Sequence, residues 1–193
     1  DIPKDDFGGD IIPAAIADYK VMAYFFEGYW EDIGTISAFY NANINMTKMK
    51  PDFPFVDIQF PIYTHARMLP GSRVSNANIS HSLINEGALI HADTIRNSII
   101  GIRSVVRSGS EIHDSYVMGN DFFETDHKGK IPLGIGKNCQ IKRAIIDKNA
   151  RIGNNVKIIN KNKLDELETE TYCIHEGIVV VKKDVVIPDG TVI

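Results

Sequence analysis

Aliphatic residues recur at a spacing of six from about position 74 to the end of the chain. The positions related by this spacing are Ile84 and Ile90; Ile100, Val106, Ile112 and Met118; Ile135 and Ile141; Ile146, Ile152 and Ile158; and Val181, Ile187 and Ile193. A period of six fits neither the alternation of one long strand nor an α-helix. It predicts a parallel β-helix, in which each short strand supplies about one inward aliphatic side chain before the chain turns a corner.

Hexapeptide repeats of this kind form left-handed β-helices, which are an exception to the right-handed crossover rule. The predicted fold class is therefore mainly β, a left-handed parallel β-helix over residues 74–193. A sandwich of short strands also alternates aliphatics with turns and remains the alternative. Two insertions interrupt the period, "NDFFETDHKGKIP" and "NKNKLDELETETYCIHE", and the middle of the second (163–169) is predicted to form one or two helical turns.

The first fifty residues have a different pattern, which predicts a helix, a strand and a second helix. Pro13 lies near the start of the first helix, where its missing N–H costs little. The apolar run Val21–Phe26 predicts a buried strand. Thr35 is a good N-cap for the second helix. The apolar stripe of that helix consists of Ile36, Phe39, Tyr40 and Ile44.

These patterns divide the chain into three parts. Residues 1–50 form a small α/β segment, residues 51–73 form a proline-rich linker, and residues 74–193 form the β-helix.

Composition excludes several classes of protein. The 193 residues are 44% hydrophobic and carry a formal net charge of −4, which argues against a general nucleic-acid binder. The two cysteines are far apart, so a zinc site or a disulfide framework is not expected. No apolar run approaches the roughly 20 residues of a membrane span. The opening "DIPKDDFGGD" lacks an initiator Met, and we expect a fragment or a processed chain.

Several segments together resemble one enzyme family over essentially the whole chain. They are "DFGGDIIP", "GYWEDIGT", "AFYNAN", "PIYT", "GIGKNCQIKRAIIDKNARIG" and "GIVVVKKDVVIPDGTVI". They resemble the carboxyl-terminal half of ADP-glucose pyrophosphorylase, also called glucose-1-phosphate adenylyltransferase, in its plant and cyanobacterial type. The resemblance implies that residues 1–50 are the last elements of a Rossmann-like nucleotidyltransferase domain and that the β-helix is a regulatory and oligomerisation domain.

The family joins ATP and glucose 1-phosphate into ADP-glucose and pyrophosphate for glycogen or starch synthesis. The resemblance implies a Mg²⁺ cofactor, with Asp32 of the "WEDIGT" turn as a catalytic and metal-binding carboxylate. The family's Gly-rich triphosphate loop, its first metal-binding Asp and its sugar-phosphate-binding Lys have no counterpart here. We therefore expect this chain alone to be inactive. From local sequence alone, Asp32 is better explained as part of the turn before Thr35, and only the resemblance favours the metal role.

The resemblance also implies an effector site for small phosphorylated metabolites. In this family type the activator is 3-phosphoglycerate and the inhibitor is orthophosphate. The matching positions are Lys148, Lys183 and Arg67, and His65 stands where the family often has Gln. Without the resemblance, the two lysines read as ordinary solvated corners.

The family forms tetramers, so we expect a homo- or hetero-tetramer. We expect no nucleic-acid or membrane partner. The expected location is the cytoplasm or, in a plant or alga, the plastid. Two other interpretations remain open. One is a stand-alone β-helix module for assembly and regulation. The other is a hexapeptide acyltransferase, whose catalytic histidine would be His81, His91 or His113. Each of these histidines is, however, more typical of a residue on the surface of a β-helix.

Overall fold

The structure, a computed structural model, describes residues 6–53, 55 and 57–193. Their contacts divide the chain into two compact units, one ending at Trp30 and one beginning at Glu31. The domain boundaries predicted near residues 50 and 73 stay predictions. Within the described residues, no helix combines the length and the apolar character needed to cross a bilayer.

The first unit contains a short helical segment. A π-helical turn, Phe7–Ile11, leads into helix α1, Ile12–Asp18, and Pro13 occupies its first turn as predicted. The strand predicted over Val21–Phe26 is wrong, because this run has no secondary structure and its side chains are exposed. A strand needs a neighbouring backbone for its N–H and C=O groups, and no described strand pairs with this run.

The second unit contains short strands, numbered β1 to β18 in chain order, that wind through three sheets. The first sheet contains β1 (Arg73–Val74), β4 (Leu89–Ile90), β7 (Val105–Val106), β10 (Gly134–Ile135), β13 (Arg151–Ile152) and β18 (Val186–Ile187). The second sheet contains β2 (Asn78–Ser80), β5 (Thr94–Arg96), β8 (Glu111–His113), β11 (Gln140–Lys142) and β14 (Lys157–Ile158).

The third sheet differs because it mixes parallel and antiparallel strands. Its parallel strands are β3 (Leu83–Ile84), β6 (Ile99–Ile100), β9 (Tyr116–Val117), β12 (Ala144–Ile146) and β17 (Ile178–Val181). The antiparallel strands β15 (Glu166–Glu168) and β16 (Tyr172–His175) extend it beyond β17. The helical turns predicted over 163–169 are therefore wrong, because the second insertion returns along β17 as a hairpin.

The core consists of three vertical stacks of aliphatic side chains. Parallel pairing places equivalent residues of successive coils above one another. The stacks are Ile90–Val106–Ile135–Ile152–Ile187, Ile95–Ile112–Ile141–Ile158 and Ile100–Val117–Ile146–Val181. All of these side chains are buried, each contributing about 1.5–3 kcal/mol of transfer free energy. The parallel β-helix predicted from the period of six is what the chain forms.

One predicted core position is wrong. The period of six places Met118 inside, but Val117 pairs with Ile100 and Ile146 and occupies the core. Met118 is half-buried and packs against a second apolar cluster on the outer face of the third sheet.

That outer cluster is formed by helix α2, Ile36–Asn45, and the third sheet. The Thr35 hydroxyl accepts a hydrogen bond from the Ala38 N–H at 3.1 Å, which confirms the predicted N-cap. The predicted stripe faces the sheet, and Tyr40 is buried against Ile145 and Ile178. Burial raises the pKa of Tyr40 to about 12, although the nearby Arg143 acts in the opposite direction.

The first insertion is fixed to the first sheet by an ion pair. Arg151 Nη2 lies 2.6 Å from Glu124 Oε1, and both side chains are largely buried. Arg151 also donates to the Ile131 carbonyl at 2.7 Å, and Glu124 accepts from the Leu133 N–H at 2.9 Å. The insertion therefore follows a defined path over the strands.

The substitution Ile112→Ala tests the inward stacks. Ile112 is fully buried between Ile95 and Ile141, so we expect a loss of about 2–5 kcal/mol in the free energy of unfolding, measured by urea denaturation. Leu89→Ala is the matched control, because the Leu89 side chain points outward and is 38% exposed. Equal losses at the two positions would show that the stacks are not the core.

Candidate functional site

Five segments meet along one edge of the β-helix, where each coil passes from the third sheet to the first. We call this edge the polar corner, formed by residues 85–88, 101–104, 118–120, 147–150 and 182–185. Backbone hydrogen bonds join its successive coils, among them Asn149 N–H to the Gly119 carbonyl at 3.1 Å and Asp184 N–H to the Lys148 carbonyl at 3.0 Å. The polar corner is therefore a continuous, ordered edge.

The two predicted effector lysines come together at this corner. Ile146 pairs with Val181, and each lysine follows its strand by two residues, so Lys148 and Lys183 occupy equivalent positions of adjacent coils. Parallel strands lie about 4.8 Å apart, which sets the spacing of the two backbones. Both side chains are partly exposed and reach the same carboxylate.

That carboxylate belongs to Asp121, the second residue of the first insertion. Lys148 Nζ lies 2.7 Å from Asp121 Oδ1, and Lys183 Nζ lies 3.7 Å from Asp121 Oδ2. Hydrogen bonds from Lys148 and then from Asn149 hold the pKa of Asp121 below its ordinary value, against a smaller opposing effect of burial. The sequence analysis assigned Asp121 no role, because a residue in an insertion has no place in the period of six.

Asn149 holds this arrangement in place. Its side chain accepts from the Asp121 N–H at 2.8 Å and donates to Asp121 Oδ2 at 3.0 Å and to Asp184 Oδ1 at 2.9 Å. Asn149 has a φ of 60°, a left-handed conformation that Asn adopts more readily than most residues. Lys148 and Lys183 are thus grouped with the carboxylates of Asp121 and Asp184, and an incoming anion must compete with Asp121 for the lysines.

Arg67 and His65 lie further along the same edge. With Ile84, Glu86 and Ile102, they line a cavity of about 620 Å³. Ile102 and Glu86 belong to the polar corner, but they lie two and three coils before Lys148, which is a separation of about 10–14 Å at ordinary strand spacing. No hydrogen bond or ion pair between described residues joins Arg67 or His65 to either lysine. The structure therefore brings Lys148 and Lys183 together at Asp121 and places Arg67 and His65 apart from them, further along the same edge.

Asp32 lies in an exposed turn immediately before α2. Its Oδ1 accepts a hydrogen bond from the Gly34 N–H at 2.9 Å, and Thr35 then caps the helix. This geometry fits the interpretation of Asp32 as a turn residue. It also fits one ligand of a Mg²⁺ site, because Mg²⁺ in enzymes is held by one or two carboxylates with phosphates and water. The described residues contain no group of three or more His, Cys, Asp or Glu that could form a metal site by themselves.

The three histidines of the acyltransferase interpretation lie at the surface. His81 and His91 are exposed and His113 is half-buried. His113 pairs with Arg96 and Lys142 on the second sheet, among outward-facing polar residues. These positions are those of the solenoid surface.

Two family models match the chain. The model described as "GLGC left-handed parallel beta-helix domain" matches residues 67–192, and the one described as "Nucleotidyl transferase" matches residues 3–49. These matches confirm the predicted fold class, including the left-handed coil and the nucleotidyltransferase segment that precedes it.

A curated relative covers almost the whole chain. It is "Glucose-1-phosphate adenylyltransferase small subunit, chloroplastic/amyloplastic" from Triticum aestivum, and it is 51% identical over 200 residues. The alignment covers 98% of this chain but 42% of the relative, so the chain spans less than half the length of the protein that it matches.

The substitution Lys148→Met tests the polar corner. Removing the main hydrogen bond to Asp121 should raise the Asp121 pKa toward its ordinary value, as measured by an NMR titration of the side-chain carboxyl. Because the folded-state pKa is depressed, the contact stabilises the fold above the unfolded-state pKa and is lost as the pH falls through the folded value.

Lys137→Met is the matched control, since Lys137 is an exposed lysine on another corner. An Asp121 pKa that is the same in Lys148→Met and in the unsubstituted chain would contradict the contact.

Proposed function

Because the chain belongs to the GLGC family of left-handed β-helix domains and corresponds to the carboxyl-terminal part of glucose-1-phosphate adenylyltransferase, we propose that it carries the effector-binding and assembly domain of such an enzyme. The complete enzyme makes ADP-glucose and pyrophosphate from ATP and glucose 1-phosphate. The product serves glycogen or starch synthesis, in the cytoplasm or, in a plant or alga, the plastid.

The observation that carries the effector role is the meeting of Lys148 and Lys183 at one carboxylate. A site that already holds a carboxylate between two ammonium groups has the charge and spacing to hold another. The proposed activator, 3-phosphoglycerate, offers both a phosphate and a carboxylate, and orthophosphate offers the first alone. Either anion takes the place of Asp121 as the partner of the lysines.

Arg67 and His65 extend this site along the polar corner. A guanidinium engages two oxygens of a phosphate or carboxylate at once, and His65 supplies a further donor. In the structure Arg67 and Glu86 line the same cavity, so a ligand there meets a carboxylate as well as the guanidinium. We propose that a ligand longer than orthophosphate contacts the two lysines and also reaches Arg67 and His65 further along the polar corner.

The catalytic role of the chain is limited to Asp32. The reaction is an in-line attack of a sugar-phosphate oxygen on the α-phosphorus of ATP, and both reactants are anions. Mg²⁺, when bound, neutralises that charge and aligns the phosphates. Asp32 would hold the ion with the carboxylate oxygen that does not accept from Gly34, while the turn and the Thr35 cap fix its direction. The other catalytic groups are expected in sequence upstream of these residues, so the isolated chain should be inactive.

Assembly is the second part of the proposal. The relative's name describes a small subunit, and we propose that this chain contributes to a homo- or hetero-tetramer. Leu89 and Val186 on the first sheet leave apolar area exposed that a neighbouring subunit can cover. The alternative is a stand-alone assembly module. The two functions are distinguished by measuring whether the complete protein makes ADP-glucose from ATP and glucose 1-phosphate.

The effector site is tested by Lys148→Ala and Lys183→Ala in the complete enzyme. Each substitution removes a charge-assisted hydrogen bond, so the half-activating concentration of 3-phosphoglycerate should rise about tenfold or more. Basal turnover should change far less. Lys137→Ala serves as the control lysine. An activation curve that is unchanged in both variants would remove the effector role.

The metal role is tested by Asp32→Asn in the complete enzyme. Loss of a metal carboxylate should lower turnover by about a hundredfold or more, since the ion is worth several kcal/mol of transition-state stabilisation. The circular dichroism spectrum should not change, because Asn also accepts from the Gly34 N–H. Asp165→Asn, at another exposed aspartate, is the control. Near-normal turnover in Asp32→Asn would show that Asp32 does not bind the metal and serves only in the turn before α2.

A further inference from the structure

Helix α2 packs on the same three strands that lead into the polar corner. Phe39 lies with its ring centroid 5.8 Å from that of Tyr116 on β9, and Tyr40 packs against Ile145 on β12 and Ile178 on β17. Beyond their carboxyl ends, these strands continue to Asp121, Lys148 and Lys183. The helix and the lysine cluster therefore share their supporting strands.

Tyr40 fixes α2 to the opposite ends of those strands. Its hydroxyl donates to the Asp114 carbonyl at 2.6 Å, two residues before β9. The guanidinium of Arg143, the residue before β12, lies 5.6 Å from the centre of the Tyr40 ring. Tyr40 itself is 3% exposed, whereas Arg143 on the other side of the ring contact is exposed to water. We call Tyr40, Asp114 and Arg143 the tyrosine latch.

A third contact holds the beginning of α2. Ser37 Oγ donates to Glu176 Oε1 at 3.0 Å, and Glu176 belongs to the turn between β16 and β17. The Glu176 carbonyl also accepts from Arg143 at 3.5 Å. The latch is therefore joined to the strand that ends near Lys183 as well as to β9 and β12.

The amino-terminal end of α2 carries Asp32. Thr35 caps the helix by accepting from the Ala38 N–H, and Gly34 donates to Asp32 from the residue before the cap. A shift or rotation of α2 moves this turn with it, because only Ile33 to Thr35 separate Asp32 from the helix. Asp32 is thus placed by the helix that the latch holds.

We propose that the tyrosine latch couples occupation of the polar corner to the placement of Asp32, with Tyr40 as a positioning residue. This inference rests on the proposed function. An anion that displaces Asp121 pulls on Lys148 and Lys183, and hence on β12 and β17. Ile145 on β12 and Ile178 on β17 pack against Tyr40 and pass that shift to α2, while the Tyr40 hydroxyl bond to the Asp114 carbonyl prevents the helix from rolling over the apolar surface beneath it.

A purely structural role for Tyr40 makes a different prediction. If the latch only holds the fold together, its removal lowers stability and scales basal and activated turnover by the same factor. If the latch couples the two sites, its removal lowers activation while basal turnover and effector binding persist. Coupling between sites typically corresponds to about 5–150-fold in an equilibrium constant, which is measurable.

The test is Tyr40→Phe in the complete enzyme, which removes the hydroxyl and keeps the ring between α2 and Arg143. We expect measurable basal turnover that falls less than activated turnover, and binding of 3-phosphoglycerate that titration calorimetry still detects. The ratio of activated to basal turnover should fall about fivefold or more. Tyr172→Phe is the matched control: among the described residues, the Tyr172 hydroxyl has no hydrogen-bond partner. It should keep the activation of the wild-type enzyme.

Each other outcome overturns the inference. Wild-type activation in Tyr40→Phe, or equal losses of basal and activated turnover, refutes the coupling while the effector site stands. A wild-type enzyme that responds to neither 3-phosphoglycerate nor orthophosphate refutes the proposed function and the coupling with it. Normal activation of both Lys148→Ala and Lys183→Ala does the same. Should Tyr40→Phe not fold, Arg143→Gln removes the cation over the ring and must meet the same criteria.

Discussion

The parallel register of very short strands is the constraint on which the second unit depends. A strand of two to four residues cannot bury its one inward aliphatic side chain alone, so each coil requires the next coil in exact register. Stacking Ile146 on Val181 also stacks whatever follows them, at about 4.8 Å per coil. The meeting of Lys148 and Lys183 is thus a consequence of core packing, although 34 residues lie between them in the chain.

The third sheet is the part of the coil that can accept a helix, and its sequence shows why. Strands of the second sheet read "EIH" and "QIK", with one apolar residue between two polar ones, so their outer face is polar. Strands of the third sheet read "AII" and "IVVV", the continuous apolar run typical of parallel strands that are covered on both faces. The outer residues Ile145 and Val180 need a cover, and the stripe of α2 supplies it.

Features that depend on local sequence patterns can be predicted, whereas features that depend on contacts between distant segments cannot. The stacks and the Thr35 cap follow from local patterns. Met118 lies outside the core because Val117 beside it is also apolar and pairs in register with Ile100 and Ile146, which leaves Met118 to pack under α2. The strand Glu166–Glu168 was missed because its glutamates favour a helix in isolation, and pairing with β16 overrides that preference. Lys148 and Lys183 are predicted effector residues through the resemblance alone. The position of Asp121 cannot be predicted from the sequence, because Asp121 lies in an insertion whose path the repeat does not determine.

The presence of Asp121 determines how a ligand binds at the polar corner. Two unpaired lysines so close together would repel each other, and the Asp121 carboxylate, which pairs with both, offsets that repulsion. The proposed phosphate or carboxylate ligand keeps the number of ion pairs when it replaces Asp121. Its affinity is therefore limited to the difference between the two anions, less the cost of immobilising the ligand. Arg151 and Glu124 hold the insertion three residues further along, which confines the displacement of Asp121 to its own end of the insertion. The lysines, and the strands that carry them, are then the parts of the corner free to respond.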